Sequence, residues 1–266
     1  MLDRPEVVTL GEAMALFLAE PGAAVSHARW FDASVAGAEA NVAIGLSRLG
    51  HRVAYVGRVG ADPMGVAVLR TLRGEAVDVT GVVTDPERPT GLLIRDAPAG
   101  QPIQVVYRRS GSAGSALCVE DLPEAALAAA PVVHLTGITA VLSDSARDAV
   151  RAAADPARHV VFDPNIRLRL ASVATWRSLV EEFAPLVDTV LVGAEELTLL
   201  DLEPAWFIER GAAVVVVKDG GRGAWATDGT QTWKAPARAV PVVDPVGAGD
   251  AFAAGWVSGL LRDVPV

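Results

Sequence analysis

Residues 244–252 have the sequence Asp-Pro-Val-Gly-Ala-Gly-Asp-Ala-Phe, and this stretch decides which fold we expect. It follows a predicted strand over residues 239–243 and leads into a long apolar helix predicted over residues 251–261. Gly247 and Gly249 permit a tight turn and a close approach to the backbone. Because the first amides of a helix have no partner within it and lie at the positive end of the helix dipole, such a turn can bind a phosphate.

Asp250 is expected at the mouth of this anion site. A carboxylate there can accept the proton of an attacking hydroxyl, while backbone amides stabilise the charge on a transferring phosphoryl group. The alternative is that Asp250 only caps the helix, since Asp is a favoured N-cap residue. The stretch is neither a dinucleotide-binding fingerprint nor a P-loop, because the chain has no G-x-G-x-x-G after its first strand and no G-x-x-x-x-G-K-[ST].

The composition suits a globular α/β protein and restricts its partners. Of the 266 residues, 51% are apolar, which is enough for one sizeable core. The net charge of -9 argues against a nucleic-acid partner, because an acidic protein repels phosphates, and it requires a local basic pocket for any anionic substrate. The single cysteine, Cys118, excludes an internal disulfide. Since the sequence shows neither a signal peptide nor a membrane span, we expect a cytoplasmic protein without a membrane partner.

Short β-branched runs alternate with Ala- and Leu-rich helical stretches along the chain. This alternation predicts an α/β fold with a doubly wound, mostly parallel sheet flanked by helices. In such sheets, ligands bind beyond the carboxyl ends of the strands. The predicted strands are residues 7–10, 53–56, 132–135, 159–162, 189–192 and 213–217, and the predicted helices are residues 39–49, 63–73, 143–154, 174–184 and 194–200.

Two stretches interrupt this alternation. Residues 14–35 and 90–107 are strand-like but more polar, and part of their length has apolar side chains at every second position. We interpret them as a small β-sheet lid, with strands from residues 12–36 and 90–110, that closes over the strand ends and excludes water from a reaction. The alternative is a pair of ordinary edge strands in the main sheet.

Residues 244–252 match throughout the C-terminal signature of the ribokinase-like (PfkB) carbohydrate kinases, D-[TP]-x-G-A-G-D-x-F, and the chain therefore resembles that family. The resemblance implies one ribokinase-like domain over residues 1–266, with ATP and Mg²⁺ as cofactors and a small sugar or sugar acid as substrate. Members usually continue past the signature helix with helices that flank the adenine, and we expect these to be missing from a sequence that stops at Val266. Either the sequence is truncated there or the protein lacks these helices, and only in the second case do we expect weaker ATP binding. The resemblance also implies a homo-oligomer that associates through the lid.

The resemblance assigns roles within the signature stretch, residues 244–252. Asp250 is implied to be the catalytic base. Three residues are implied to line the anion hole and contact the nucleotide through their backbone: Gly247, Ala248 and Gly249. In parts of the family a monovalent cation such as K⁺ binds near the position of Asp244.

Residues 36–43 resemble the first signature of the family, a Gly-Gly-Ala-x-x-Asn-x-Ala helix start that holds sugar hydroxyls. A glycine lets the substrate approach the backbone, and an asparagine both donates and accepts hydrogen bonds. Ala36 departs from the pattern, in which a second glycine is usual, and narrows the pocket by one methyl group. The alternative is a plain helix N-terminus. The residues implied to bind the substrate are Gly37, Ala38, Glu39 and Asn41.

Two further segments resemble nucleotide-binding parts of the family. Residues 218–224 resemble its K-x-G-x-x-G turn, which implies nucleotide contacts by Lys218, Gly220 and Gly223, although a plain glycine turn is the alternative. Residues 193–196 lie where many members have Asn-x-x-Glu. The resemblance implies that Glu196 orders Mg²⁺ through water, and that Gly193 lies beside the nucleotide without the usual polar side chain.

Residues 106–113 and 163–167 resemble the 2-keto-3-deoxygluconate kinase branch of the family. By this resemblance, Tyr107 and Arg108 contact the sugar acid. Two more side chains, Asn165 and Arg167, are implied to lie between the sugar and the ATP phosphates. Because arginine suits bidentate recognition of a carboxylate, these segments would also supply the local basic pocket.

Leu93 stands where that branch can have a tyrosine over the sugar, which removes a hydroxyl contact. A neutral acceptor such as fructose therefore remains an alternative, with fructokinase or ribokinase activity. A catalytically silent sugar-binding protein of the same fold is a further alternative. The presence of Asp250 argues against it, because a protein that only binds sugar needs no base there.

Overall fold

The computed structural model describes residues 4–96 and 103–265. A central sheet within these residues consists of β1 (Val7–Leu10), β4 (Val53–Gly60), β5 (Val82–Asp85), β8 (Val132–Thr136), β9 (His159–Asp163), β10 (Thr189–Gly193), β11 (Val214–Lys218), β12 (Ala224–Thr227) and β13 (Thr232–Ala235), numbered in chain order. The strands lie in the order β13-β12-β11-β10-β9-β8-β1-β4-β5.

The strands from β11 to β5 pair in parallel, and β12 and β13 extend the sheet as an antiparallel hairpin. Parallel strands are covered on both faces, which explains why most of their residues are apolar and buried. The predicted fold class is confirmed. The carboxyl ends of β9, β10 and β11 lie side by side, so that Asp163, Gly193 and Lys218 meet at one edge of the sheet.

A second, smaller sheet consists of β2 (Met14–Ala19), β3 (Phe31–Ala36), β6 (Leu92–Arg95) and β7 (Val105–Arg108). Its order is β3-β2-β6-β7, with β2 and β6 parallel and the other two pairs antiparallel. The lid is thus a separate sheet and not a pair of edge strands of the main one. Residues 97–102 of the predicted lid segment lie outside the described residues.

The helices of the described chain are α1 (Ala38–Arg48), α2 (Pro63–Gly74), α3 (Glu124–Ala129), α4 (Gly137–Leu142), α5 (Asp144–Ala153), α6 (Val173–Phe183), α7 (Ala194–Leu200), α8 (Pro204–Ile208) and α9 (Ala248–Leu261). Successive strand residues point to opposite faces, and two hydrophobic clusters result. One contains Phe162 and Trp176, and the other contains Leu46 and Tyr55. Over residues 4–96 and 103–265, no helix is long and apolar enough to cross a membrane.

The signature region differs from its prediction in two ways. Helix α9 begins at Ala248, three residues earlier than expected, so Asp250 lies in its first turn. The strand predicted over residues 239–243 is wrong: residues 236–247, all of them described, contain neither helix nor strand. A valine-rich run favours a strand, but a strand needs a neighbour for its backbone hydrogen bonds, and none in the described chain pairs with this run.

Helix α9 packs directly on α1. A Cβ atom placed on Gly45 of α1 would lie 2.8 Å from the Cβ atom of Ala254 in α9, so a larger residue at position 45 would push the helices apart. This close approach brings the first turns of the two helices together. The two signature motifs, far apart in sequence, therefore form one site.

Candidate active site

A cleft of about 790 Å³ lies between the carboxyl ends of the central strands and the lid. Its position agrees with the rule that ligands bind beyond the carboxyl ends of parallel strands. The lid contributes a largely apolar wall of Leu16, Ala36, Leu93, Val105 and Tyr107, together with Arg95. The opposite wall consists of residues 165–167, 193–196, 218–222 and 245–250.

Asp250 lies at the base of the cleft and is 8% exposed. The N-cap of α9 is Gly247, whose φ of 81° lies in the left-handed region that favours glycine. Asp250 therefore does not cap the helix. Its Oδ2 accepts a 2.7 Å hydrogen bond from Nδ2 of Asn41. Burial raises the pKa of Asp250, against the lowering effect of the Asn41 hydrogen bond, which suits a carboxylate that must accept a proton.

The first signature brings only part of its predicted residues to this site. Gly37, the N-cap of α1, has a φ of 149°, and a Cβ atom there would collide with the Glu12 carbonyl oxygen. A glycine is therefore required at the turn. Ala38 follows it as the first residue of α1 and is half-buried. Asn41 reaches the cleft through its hydrogen bond to Asp250.

Glu39, which the resemblance implied to bind substrate, does not line the cleft. Its buried carboxylate accepts 2.5 Å hydrogen bonds from the hydroxyls of Thr136 and Thr139, beneath the end of β8. Side chains two positions apart in an α-helix are separated by about 200° around its axis. A helix that presents Asn41 to the cleft therefore points Glu39 away from it. Burial raises the pKa of Glu39. Its role is to join α1 to the end of β8 and the first turn of α4.

Lys218, the last residue of β11, lies beside the anion hole. Its Nζ donates a 2.5 Å hydrogen bond to Oδ2 of Asp163. A Cβ atom placed on Gly249 would lie 3.9 Å from this Nζ, so the ammonium group is close to the backbone of the signature turn. The structure thus brings Lys218, Gly249 and Asp250 together at one end of the cleft.

The turn after β11 brings only one of its two predicted glycines to the cleft. Gly220, with a φ of 53°, lines it. Gly223, the other glycine predicted to contact the nucleotide, does not line the cleft. A Cβ atom there would collide with the carbonyl oxygen of Ala235, so Gly223 is required by the close approach of the chain in the β12–β13 hairpin.

Both carboxylate oxygens of Glu196 accept backbone hydrogen bonds. Oε2 accepts from the Gly193 amide and Oε1 from the Ile166 amide, each at 2.6 Å. Burial raises the pKa of Glu196, and the nearby Asp163 carboxylate raises it further. Glu196 therefore organises two loops at the cleft wall. Among the described residues, no group of three or more His, Cys, Asp or Glu side chains could hold a metal ion by itself.

The lid presents Arg109 to a described cavity, and Arg108, the arginine predicted to contact substrate, does not line one. Arg108 is exposed and lines none of the described cavities. Because strand residues two apart share a face, Tyr107 and Arg109 point the same way. The Arg109 guanidinium lies 5.8 Å from the centre of the Tyr107 ring and forms a 2.6 Å ion pair with Glu12.

A second cavity of about 870 Å³ adjoins the main cleft and shares Tyr107 and Arg167 with it. Three arginines line this cavity: Arg109, Arg167 and Arg169. Asn165, which precedes Arg167 by two residues, is buried with a φ of 47° and lines the main cleft. The predicted basic pocket therefore exists, although its arginines differ in part from those expected.

An ion pair between the lid and the signature stretch was missed by the sequence analysis. The buried Arg95, at the end of β6, donates to both carboxylate oxygens of Asp244, at 3.0 and 2.6 Å. Oδ1 of Asp244 also accepts from the Val246 amide. The only signal in the sequence was a charged residue at the end of an apolar strand, which does not identify its partner.

The fold and the cleft define a carbohydrate kinase. Residues 4–266 match the family described as pfkB family carbohydrate kinase, and the chain belongs to that family. It is therefore a phosphotransferase whose acceptor is a sugar hydroxyl, as the resemblance implied.

The chain is similar to 2-dehydro-3-deoxygluconokinase of Bacillus subtilis (strain 168), with 36% identity over 96% of this chain and 83% of the relative. Among solved structures, it resembles a PfkB protein from Polaromonas sp. JS666, with a TM-score of 0.90, 37% identity, and coverage of 98% of this chain and 90% of that one. It also resembles a putative ribokinase II from E. coli in complex with ATP and Mg²⁺, with a TM-score of 0.87, 25% identity, and coverage of 98% and 87%.

Proposed function

We propose that this protein is an ATP-dependent kinase of a sugar acid, with 2-keto-3-deoxygluconate as its acceptor and Asp250 as the catalytic base. The observation that carries the proposal is the buried Asp250 carboxylate beside the amides of the signature turn, held by Asn41 at 2.7 Å. A relative with 36% identity bears the name 2-dehydro-3-deoxygluconokinase, and 2-dehydro and 2-keto denote the same carbonyl group.

Phosphoryl transfer follows from this arrangement as a direct, in-line reaction. Asp250 accepts the proton of the acceptor hydroxyl while the hydroxyl oxygen forms a bond to the γ-phosphorus of ATP. The bond from that phosphorus to the bridging oxygen breaks, and ADP leaves. The backbone amides of residues 247–249 and the Lys218 ammonium stabilise the charge on the transferring group.

The lid supplies the water exclusion that a kinase needs. Leu16, Leu93 and Val105 form an apolar wall opposite the signature turn. Removing water strengthens the electrostatic interactions in the cleft and limits the hydrolysis of ATP.

Glu196 is the residue that would contact Mg²⁺ at this site. Mg²⁺ in proteins usually keeps several waters and binds through substrate phosphates plus one or two carboxylates. Each carboxylate oxygen of Glu196 already accepts a hydrogen bond from a backbone amide. Glu196 therefore suits a contact with Mg²⁺ through water better than direct coordination. When bound, Mg²⁺ supplies charge neutralisation on the phosphates.

No monovalent cation is required at Asp244 in this proposal. Both oxygens of its carboxylate accept hydrogen bonds from Arg95, and this bidentate pair already supplies a positive charge. The residues present therefore do not fit a K⁺ ion on this carboxylate.

The acidic acceptor is supported by the arginines beside Tyr107. Arg109 and Arg167 line the cavity that adjoins the main cleft, in a protein whose net charge is -9. A planar guanidinium group can bind a carboxylate through two hydrogen bonds. A neutral sugar offers these arginines no charged partner.

Self-association through the lid and a cytoplasmic location also belong to this proposal. The outer strand β3 leaves Phe31 exposed, with Trp30 exposed just before it. A sheet edge with exposed aromatic residues is suited to a second copy of the chain. Light scattering after gel filtration tests the oligomer.

The test is ADP release with MgATP and four acceptors: 2-keto-3-deoxygluconate, fructose, ribose and adenosine. We expect turnover to be fastest with the keto acid. A preference for fructose or ribose would retain the kinase and overturn the acid pocket. Sugar binding without ADP release from any acceptor would favour the silent sugar-binding alternative.

A further inference from the structure

Asp163 is a buried carboxylate beneath the cleft that the mechanism above does not use. It ends β9, is 1% exposed and does not line the cleft. Its two oxygens have different partners: Oδ1 accepts the Asn165 amide at 2.9 Å, and Oδ2 accepts Lys218 Nζ at 2.5 Å. One oxygen thus holds a loop, and the other holds a cation.

Lys218 crosses the end of a strand to reach this carboxylate. Strand β10 lies between β9 and β11 and ends at Gly193, which is the register partner of Lys218 and has no side chain. The Lys218 side chain is 18% exposed and lines the cleft. The chain has only two lysines, Lys218 and Lys234, and uses arginine at its other basic positions.

A half-enclosed ammonium group needs a partner to remain charged. Burial by itself lowers the pKa of Lys218, but the carboxylates of Asp163 and Glu196 outweigh burial and raise it. A charged group fixed before the substrate binds needs no reorganisation during the reaction, which is how preorganised sites stabilise transition states.

We infer that Asp163 is a positioning residue for phosphoryl transfer, which holds the Lys218 ammonium in place at the anion hole. This inference rests on the proposed function. The two roles of the Asp163 carboxylate can be separated by substitution. An asparagine at position 163 can still accept the hydrogen bond from the Asn165 amide, but it has no charge to pair with the Lys218 ammonium.

The experiment compares Asp163→Asn, Lys218→Met and the double variant with the wild-type chain. Removing one fixed donor from such a site lowers kcat by about 100-fold, and we expect this for each single variant. The KM for the sugar should not change, because the pair lies on the phosphate side. We expect the double variant to be no slower than Lys218→Met alone, since the two residues act as one unit.

Two matched controls test for merely structural effects. The Asp188 carboxylate also accepts a hydrogen bond from a backbone amide of β9, that of Val160, at 2.7 Å. This amide lies at the end of the strand opposite to Asp163. Asp188→Asn and Lys234→Met should leave kcat unchanged. A second measurement does not depend on activity: brief acetylation followed by mass spectrometry. We expect Lys218 to react more slowly than Lys234 in the wild type, and relatively faster after Asp163→Asn.

Each outcome is decisive. An Asp163→Asn variant with the kcat of Asp188→Asn would overturn the inference while leaving the kinase intact. So would a double variant whose loss equals the product of the two single losses, or an unchanged ratio of acetylation at the two lysines. If the wild type itself releases no ADP with any acceptor, the proposed function fails, and the acetylation ratio still tests the Asp163–Lys218 pair.

Discussion

The Asn41 side chain donates a 2.7 Å hydrogen bond to the Asp250 carboxylate, although the two residues are 209 positions apart in the sequence. The contact joins the first turns of α1 and α9. It makes the substrate motif and the phosphate motif one unit, because the group that would hold a sugar hydroxyl also holds the base.

The substitution Asp250→Asn tests the base directly. The amide side chain keeps the shape of the carboxylate but cannot accept the acceptor's proton, so we expect kcat to fall by about 10²- to 10⁴-fold. Sugar binding, measured by calorimetry, should be largely retained. Turnover close to that of the wild type would remove Asp250 from the mechanism.

Replacement of Asn41 by alanine should move the pH profile. The Asn41 hydrogen bond lowers the pKa of Asp250, so its removal raises that pKa further above its ordinary value. A base works only when deprotonated, and activity is lost as the pH falls through its pKa. We therefore expect the acidic limb of the kcat/KM profile to shift to higher pH. An unshifted limb, or a shift to lower pH, contradicts this account.

Arg109 and Arg108 form a matched pair of variants on opposite faces of the same lid segment. A hydrogen bond to a charged group is worth about 1.5 to 3 kcal/mol, so Arg109→Ala should raise the KM for the keto acid by about 10- to 100-fold. Arg108→Ala should leave this KM unchanged. Since Arg109 also pairs with the buried Glu12, the melting temperature of both variants must be measured. Equal effects of the two substitutions would refute the assignment.

The Arg95–Asp244 ion pair predicts a kinase that does not depend on K⁺. Initial rates should be the same in potassium, sodium and tetramethylammonium chloride at one ionic strength. Strong activation by K⁺ alone would show that the cation binds despite the arginine.

His134 predicts a loss of stability in acid. It lies buried within β8, its Nδ1 is 2.9 Å from the Thr9 hydroxyl oxygen, and burial lowers its pKa to about 4. In the unfolded chain the His134 imidazole has a pKa of about 6.5, so it binds a proton there at a higher pH than in the folded protein. The free energy of unfolding should therefore fall by about 3 kcal/mol as the pH decreases from the unfolded to the folded pKa.

Urea denaturation at several pH values measures this slope. The control is the double variant Thr9→Val with His134→Leu, which removes both polar partners. Its free energy of unfolding should depend less on pH between the two pKa values of His134. An equal slope in the control would assign the acid sensitivity to the carboxylates.

Several elements were predictable because their causes are local. The alternation of valine runs with helical stretches identified the strands from β1 to β11 of the central sheet, apart from β5, and the helices α1, α2, α5, α6 and α7. The short helix α4 was missed, because its six residues are too few to show a helical period. The false strand over residues 239–243 had the right composition but no neighbour in the described chain.

The lid arginine was predictable in principle. The alternation of side chains along an extended segment favours one face for Tyr107 and Arg109, so spacing alone could have added Arg109 to the candidates. Glu39 lies away from the cleft for the corresponding reason in a helix, where residues two apart point in nearly opposite directions.

The sequence by itself determined the turn chemistry of the signature stretch, the alternation of most strands and helices along the chain, and the two more polar strand-like stretches that interrupt it. These depend on residues within a few positions of one another, whose conformational preferences act locally. Only the tertiary structure decided which polar side chains meet: Asn41 with Asp250, Lys218 with Asp163, and Arg95 with Asp244. Each pair joins distant parts of the chain, and its geometry depends on strand order and helix packing, which no local preference encodes.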